Sequence, residues 1–214
     1  MPEPTPRDRA HEILPAAFLS SLELAERGMT RRDIAAAARA GRLVRLRRGR
    51  FLDPNAHAGL HRAGSLGGRL DCVSLLSALG IFVREHPRLH VQIERGASRL
   101  PPRDSRVVAH WRRTQSPRAS LAAELIEALA QSCRCQRPRD AIATLDSAWH
   151  HGLVDEQGLS EVFARLPRPY RRLRGLLDPD AESGCETLMR LMLRALGCHV
   201  ELQVRIRGVG RVDL

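Results

Sequence analysis

The sequence contains no lysine, and aromatic residues make up only 3% of its 214 residues. Its core must therefore be built from leucine, valine, isoleucine and alanine. No apolar run approaches the roughly 20 residues that a membrane-spanning helix needs, and the opening segment MPEPTPRDRA lacks the apolar core of a signal peptide. The five cysteines are odd in number and scattered, which favours a reduced compartment. We expect a cytoplasmic protein with no membrane partner.

All 35 basic residues are arginine, and the formal net charge is +11. A GC-rich genome accounts for part of this arginine content, but codon usage would spread the charge evenly. The charge is instead concentrated, because residues 27–50 hold nine arginines and one acid, Asp33, for a net charge of +8. A dense basic segment of this kind is typical of a surface that binds nucleic acid.

The N-terminal part has the pattern of two helices followed by a hairpin. Residues 1–14 are a polar lead that we expect to be flexible. Apolar residues at helical spacing predict a helix over Pro15–Arg27. Thr30 is a suitable N-cap for a second helix, which Gly41 ends. The alternating segment 43–52 predicts a short hairpin.

Helix, tight turn, helix and hairpin in this order predict a winged helix-turn-helix domain over residues 15–54. In such a domain the second helix enters the major groove of double-stranded DNA, and the hairpin, or wing, lies on the phosphates. Arginine suits this role because its planar guanidinium can contact a phosphate or a guanine edge through two hydrogen bonds. The alternative is a solvated helical hairpin with charged faces. The predicted DNA-binding residues are Arg31, Arg32, Arg39, Arg42, Arg45, Arg47, Arg48 and Arg50.

Residues 66–176 read as an α+β region that follows a loop or linker over residues 54–68. The spacing of His57 and His61 places both on one helix face, but no third metal ligand accompanies them, so solvated histidines are favoured. An apolar helix begins near Leu70, two alternating segments predict strands, and further helices follow. We identify no catalytic constellation in this region.

Two local features of the middle region have simple interpretations beside a functional one. Cys133 and Cys135 have the wrong spacing for a metal knuckle and no matching pair, so they are interpreted as ordinary thiols. The segment 165–174 holds five arginines and no acid. It is either a second patch that faces phosphates or a solvated helix edge.

The last part of the chain, residues 178–214, predicts a helix that leads into a hairpin. Apolar residues recur at helical spacing between positions 188 and 196. After this helix, CHVELQVRI and RVDL read as strands on either side of the turn RGVG. The helix carries Glu186, and the second strand carries Asp213.

The two ends of the chain resemble two known families. The segments ESGCETLMRLMLRALG and VELQVRIRGVGRVDL resemble the opening of the very-short-patch-repair-like endonucleases, a branch of the PD-(D/E)XK nuclease superfamily. The segment MTRRDIAAAARAGRLVRLRRGRF is similar to the N-terminal winged helix of AbiEi-type antitoxins. The segments CVSLLSALGIFV and LHVQIERGASR are similar to the part that follows it there. The resemblance covers most of residues 19–214.

The nuclease resemblance implies that Glu186 is the family's helix glutamate and Asp213 its first metal-binding aspartate. The complete domain would use Mg²⁺, which requires several converging oxygen ligands. The family continues with a strand that carries a second acidic pair, whereas this sequence stops at Leu214. The expectation is therefore a truncated start of a nuclease-like α/β domain over residues 178–214, catalytically incomplete and with no cofactor for the chain as given.

The sequence therefore predicts an α+β fold with a winged helix-turn-helix, a middle α+β region and a C-terminal helix with a hairpin. Three functions are expected for such a chain. The first, which we favour, is a DNA-binding protein, either a transcriptional regulator or antitoxin-like, whose partner is double-stranded DNA. The alternative is a metal-dependent DNA endonuclease whose catalytic half is missing from this chain. The third is an interaction module whose middle region contacts a toxin-like protein, with a homodimer as a further option.

Overall fold

The computed structural model describes residues 3–208 and 210–212, which form a mixed α+β fold with small sheets, as predicted. The helices are α1 (Pro6–Ile13), α2 (Ser21–Glu26), α3 (Arg31–Arg39), α4 (Ala58–Ser65), α5 (Cys72–Ala78), α6 (Leu125–Cys135), α7 (Pro138–His150), α8 (Glu156–Ala164) and α9 (Gly184–Ala195), with a 3-10 helix at Arg168–Leu176. The strands are β1 (Leu19–Ser20), β2 (Val44–Arg47), β3 (Arg50–Leu52), β4 (Arg69–Leu70), β5 (Leu89–Glu94), β6 (Val107–Arg112), β7 (Val204–Ile206) and β8 (Gly210–Val212).

The first sheet packs against α2 and α3. Strand β3 lies between β1 and β2 and is antiparallel to both. Leu24 of α2, Ile34 of α3 and Phe51 of β3 form a small buried cluster between the helices and the sheet. Thr30 caps α3, as predicted, through a reciprocal capping box with Asp33. Local capping and apolar burial thus fix the two helices on one face of the hairpin.

The opposite face of the same hairpin belongs to the main core. Leu46 and Leu52 lie in a large hydrophobic cluster with residues of the middle region. The segment 119–123 joins the two parts, because Leu121 donates its backbone N–H to the Ala16 carbonyl at 2.8 Å and its carbonyl accepts from the Leu70 N–H at 2.7 Å. The hairpin is therefore packed on both faces.

The middle sheet carries β5 at its centre, antiparallel to β4 and parallel to β6. Helix α5 packs against β5 and against α6, and α6 packs against α7 and α8. Helix α7 also contacts α9, which precedes the antiparallel pair β7 and β8. No helix in the described ranges is long and apolar enough to cross a membrane.

The prediction of a flexible lead over residues 1–14 is wrong for the described residues, because α1 forms there. Thr5 caps this helix in a reciprocal box with Asp8, and Pro6 occupies its first turn, where its missing N–H costs nothing. Ala10 and Ile13 are buried in the main core. These two buried residues dock the short helix on the core. The sequence does not reveal this, because the segment is mostly polar and shows no clear apolar pattern.

The prediction of one helix over residues 15–27 is also wrong, because α2 begins only at Ser21. Ser20 is the N-cap, and Leu19 is extended because it pairs with Phe51 in the sheet. The linker predicted over residues 54–68 contains α4 instead, with Leu60 and Ala63 fully buried. In both places, contacts with residues distant in sequence decide the structure.

Candidate nucleic-acid interface

Helix α3 presents arginines at both of its ends. Arg31 and Arg32 are exposed in the first turn, and Arg39 is exposed in the last. Between them lies Ala35, which is also exposed, so the middle of this face carries only a methyl group. A face with small residues at its centre and cations at its ends can approach a groove closely while its ends reach phosphates or base edges.

The turn between α2 and α3 is held by backbone hydrogen bonds. Gly28 has a φ of +85°, which favours glycine, and Met29 donates its N–H to the Leu24 carbonyl at 3.0 Å. Gly28 also donates to Ala25 at 2.9 Å. These paired bonds are a Schellman motif, which ends α2 and sets the direction in which α3 departs.

The turn of the β2–β3 hairpin is tied to the start of α2. Gly49 has a φ of +71°, and its carbonyl accepts a hydrogen bond from the Ser21 N–H at 3.1 Å. The hairpin is therefore fixed in orientation relative to α2 and α3. Arg45 and Arg48 are exposed on it, which places them on the same unit as the arginines of α3. Arg42 is exposed in the connection between α3 and β2.

Arg47 and Arg50 differ from the other predicted DNA-binding residues, because they line a cleft. Arg47 donates from Nη2 to the Arg99 carbonyl at 2.8 Å. The Arg50 guanidinium carbon lies 4.4 Å from the centre of the Phe18 ring, a cation–π contact. Burial, with a smaller effect from the charge of Arg47, lowers the pKa of Arg50 below its usual value.

The cleft has a volume of about 540 Å³ and a basic lining. Arg69 and Arg118 line it together with Arg47 and Arg50, and Glu94 is the one acid among its described lining residues. Arg69 is held there by hydrogen bonds of 2.9 Å to the Gln92 side chain and 2.9 Å to the Pro117 carbonyl. Positive charge therefore continues from the hairpin into the body of the molecule.

In the cleft Arg69 lies 3.9 Å from Glu94, but the eight arginines predicted to bind DNA are not paired with described acids. None of the eight predicted arginines forms a salt bridge within the described ranges. Asp33, the one acid among residues 27–50, is engaged in its cap. Its Oδ2 accepts from the Thr30 hydroxyl at 2.6 Å and from the Thr30 N–H at 2.9 Å, and these bonds lower the pKa of Asp33.

The predicted nuclease residues are not brought together in the described part of the chain. Glu186 stabilises the start of α9: its Oε2 accepts from the Glu182 N–H at 3.1 Å and from the Gln203 side-chain amide at 3.2 Å. Asp213 lies outside the described residues. No protein-family model matches the sequence, and no curated protein matches it, so both family resemblances stay predictions.

Four residues of the middle region lie close together although no sequence pattern predicts their proximity. They are Cys72, His90, His110 and Cys135, and each offers one atom that can bind a metal ion. They are spread over more than sixty positions on four different elements, so no short motif marks them. The one local signal is that both predicted strands of the middle region carry a histidine among apolar residues.

Proposed function

We propose that this chain binds double-stranded DNA through α3 and the β2–β3 hairpin, as a transcriptional regulator or an antitoxin-like protein. The order of elements supports this function most directly. The chain runs α1, β1, α2, α3, β2, β3, and the sheet order is β1-β3-β2. This is the arrangement expected of a winged helix-turn-helix, in which the helix before the hairpin reads the major groove.

In this proposal α3 is the recognition helix. Its first turn is the part that reaches base edges in such complexes, and Arg31 and Arg32 are exposed there. An arginine can donate two hydrogen bonds to the O6 and N7 atoms of guanine, and an alanine methyl such as that of Ala35 can contact the methyl of thymine. Arg39 and Arg42, near the other end of the helix, are placed to contact phosphates.

The hairpin is the proposed wing. Arg45 and Arg48 are exposed cations that do not line the cleft, and they would contact phosphates without sequence preference. Arg47 and Arg50 support the wing from the cleft behind it, because their side chains already contact Arg99 and Phe18. The proposed winged helix covers residues 15–54. Helix α1 stands at the sequence position of a first helix but packs its buried residues into the main core.

The endonuclease alternative gains no support from the described geometry. Glu186 is engaged at the start of α9, and its expected partner Asp213 is not described. The Mg²⁺ requirement and the nuclease-like assignment of residues 178–214 therefore stay predictions. The same holds for a toxin-like protein as partner of the middle region over residues 66–176, and for a homodimer of the chain.

Two charge-matched variants test the proposed interface. Arg45→Ala with Arg48→Ala removes two exposed cations of the wing. Arg171→Ala with Arg172→Ala removes the same charge from two exposed arginines of the 3-10 helix. Since hydrogen bonds to charged groups contribute about 1.5–3 kcal/mol each, the wing variant should bind duplex DNA at least about tenfold more weakly.

Fluorescence anisotropy with a labelled duplex of mixed sequence measures both variants at one salt concentration. The 3-10 helix variant should bind within about twofold of the unmodified chain, because only the overall charge changes. Equal losses for the two variants would mean that net charge and not this interface causes binding. The opposite ranking would assign binding to the segment 165–174 and would contradict the proposal.

A further inference from the structure

A compact set of four side chains lies in the middle region, and none of them is among the residues of the proposed DNA-binding surface. One ligand atom from each of Cys72, His90, His110 and Cys135 lies within 4.8 Å of all the others. The side chains are two thiols and two imidazoles, which are the ligands that structural zinc sites use most often. Oxygen ligands, which Mg²⁺ and Ca²⁺ prefer, are absent from this set.

Each ligand is positioned by a different element of the fold. Cys72 is the first residue of α5, and Cys135 is the last residue of α6. His90 lies on β5 and His110 on β6, and these strands are parallel neighbours. His110 pairs with Gln92, two positions from His90, so both imidazoles project from the same face of the sheet.

The distances are close to those of a tetrahedral site. With Zn–S bonds of about 2.3 Å and Zn–N bonds of about 2.0–2.1 Å, neighbouring ligand atoms lie roughly 3.3–3.8 Å apart. The Nδ1 atom of His90 lies 3.1 Å from Nε2 of His110, and that Nε2 lies 3.9 Å from the Cys135 sulfur. Side-chain shifts of about an ångström or less separate this arrangement from a zinc site.

Neighbouring residues support the ligands and the elements that carry them. The Gln131 amide donates a hydrogen bond to the Cys135 sulfur at 3.4 Å, as expected for a partner of a thiolate ligand. The Ser74 hydroxyl accepts from the His90 backbone N–H at 2.9 Å. The carboxylate of Asp71, the residue before Cys72, is paired with Arg112 on β6 at 2.5 and 2.9 Å, which links α5 to that strand.

The backbone at Cys72 is an outlier that a ligand role explains. Cys72 has a φ of +53°, a left-handed conformation that non-glycine residues rarely adopt. Such conformations persist where the surrounding structure requires a side chain at one particular place, and they concentrate at functional sites. Cys72 is fully buried and His90 nearly so, whereas Cys135 is exposed, so the site has a closed inner side and an outer side open to solvent.

We propose that Cys72, His90, His110 and Cys135 bind one Zn²⁺ ion. Two thiolates and two neutral imidazoles balance the charge of the ion and complete a tetrahedron. A site with all four positions filled by protein ligands is structural, because no position is left for a water or a substrate. Bound Zn²⁺ would join the start of α5 and the end of α6 to β5 and β6. This site is independent of the proposed DNA-binding surface.

Cys133 provides a matched control on the same helix. It lies two residues before Cys135 in α6, but it is buried among apolar side chains of the main core and is not part of the cluster. Replacing Cys133 with serine therefore removes a thiol without removing a proposed ligand. Cys185 and Cys198 are exposed and lie outside the cluster, so they serve the same purpose.

The test measures zinc content in the full chain purified without chelators from cells grown with added Zn²⁺. Elemental analysis should give about one zinc per chain, and this content should fall at least tenfold in both Cys135→Ser and His110→Ala. Cys133→Ser should retain the metal. Replacement by Co²⁺ should give the intense visible bands of a tetrahedral thiolate complex in the unmodified chain and lose them in Cys135→Ser.

A second measurement, on the unmodified chain, tests the proposal even if a ligand variant fails to fold. Chelator treatment of the unmodified chain should remove the zinc and lower its thermal midpoint, and added Zn²⁺ should restore both. The proposal is overturned if the unmodified chain neither contains zinc nor takes up Zn²⁺ or Co²⁺ stoichiometrically. It is equally overturned if folded Cys135→Ser and His110→Ala retain the full metal content.

Discussion

At the scale of single residues, Arg190 and Asp146 form a buried ion pair between α9 and α7. Both side chains are almost fully buried, and Arg190 Nη2 lies 2.7 Å from Asp146 Oδ2. Asp146 also accepts from the Thr187 hydroxyl and from the Asp178 N–H, each at 2.9 Å. Burial nonetheless raises the pKa of Asp146 to about 6, because these partners only partly offset the loss of water.

Replacing Arg190 with methionine should destabilise the chain by about 3–5 kcal/mol, because it leaves Asp146 buried without a cation. Helix α9 docks on α7 through this pair, so the loss should be global. Urea unfolding followed by circular dichroism measures it. As a control, Arg194→Met on the exposed side of α9 should change stability by less than about 0.5 kcal/mol. Comparable losses in the two variants would contradict this account of the pair.

The pH dependence of the same variant follows from the raised pKa of Asp146. A carboxyl whose pKa is about 6 in the folded chain and 3.8 otherwise binds protons more tightly when folded. Its contribution to stability is therefore present at low pH and is lost as the pH rises through about 6. Without Arg190 the pKa of Asp146 rises further, so the deficit of Arg190→Met should grow between about pH 6 and pH 8. A stability deficit of Arg190→Met that shrinks as the pH rises over this range would contradict the predicted direction of the pH dependence.

At the scale of single elements, we expect α3 to provide the sequence specificity that the proposed function requires. Arg31→Ala and Arg32→Ala should each cost about 1–3 kcal/mol of binding free energy on a preferred DNA site. The loss on a duplex of random sequence should be smaller, because phosphate contacts elsewhere are unchanged. A preferred site selected from a random pool and anisotropy on both duplexes give the comparison. Equal losses on the two duplexes would assign both residues to phosphate contacts alone.

The elements that were predicted correctly carry their own local signals. Thr30 with Asp33 marks the start of α3, and Gly41 and Gly49 have the positive φ values that their positions require. Proline at the start of α7 and the alternating pattern of β5 and β6 are signals of the same kind. Each of these signals depends on the backbone conformation or burial of a few adjacent residues, so it can be recognised in the local sequence.

The elements that were missed depend on contacts with distant residues. Helix α1 is mostly polar, and α4 contains two glycines, so neither has a strong helical pattern without the core that buries Ile13 and Leu60. Strand β1 exists because Leu19 pairs with Phe51. The four proposed zinc ligands also depend on distant contacts. They come together only when α5, α6 and the parallel strands β5 and β6 have packed against one another.

At the scale of the whole molecule, one hydrophobic cluster extends from Ile13 in α1 to Leu191 in α9. The cluster includes Leu46 and Leu52 of the hairpin, so the proposed wing is part of the main body and not a separate flexible arm. The cleft behind the wing adds Arg69 and Arg118 to the basic surface. We therefore expect the chain to present its arginines to DNA as a rigid surface, with little rearrangement on binding.

The salt dependence of duplex binding by the whole chain tests this account most directly. Seven of the eight predicted arginines, all except Arg47, are exposed on α3, the wing and the connection between them. If about four to six phosphates are neutralised, the logarithm of the association constant should fall linearly with the logarithm of salt concentration, with a slope of about −4 to −5. Arg45→Ala with Arg48→Ala should flatten that slope by about 2, since each lost phosphate contact removes about 1. A slope near zero, or a slope that this variant leaves unchanged, would contradict the claim that α3 and the hairpin bind DNA.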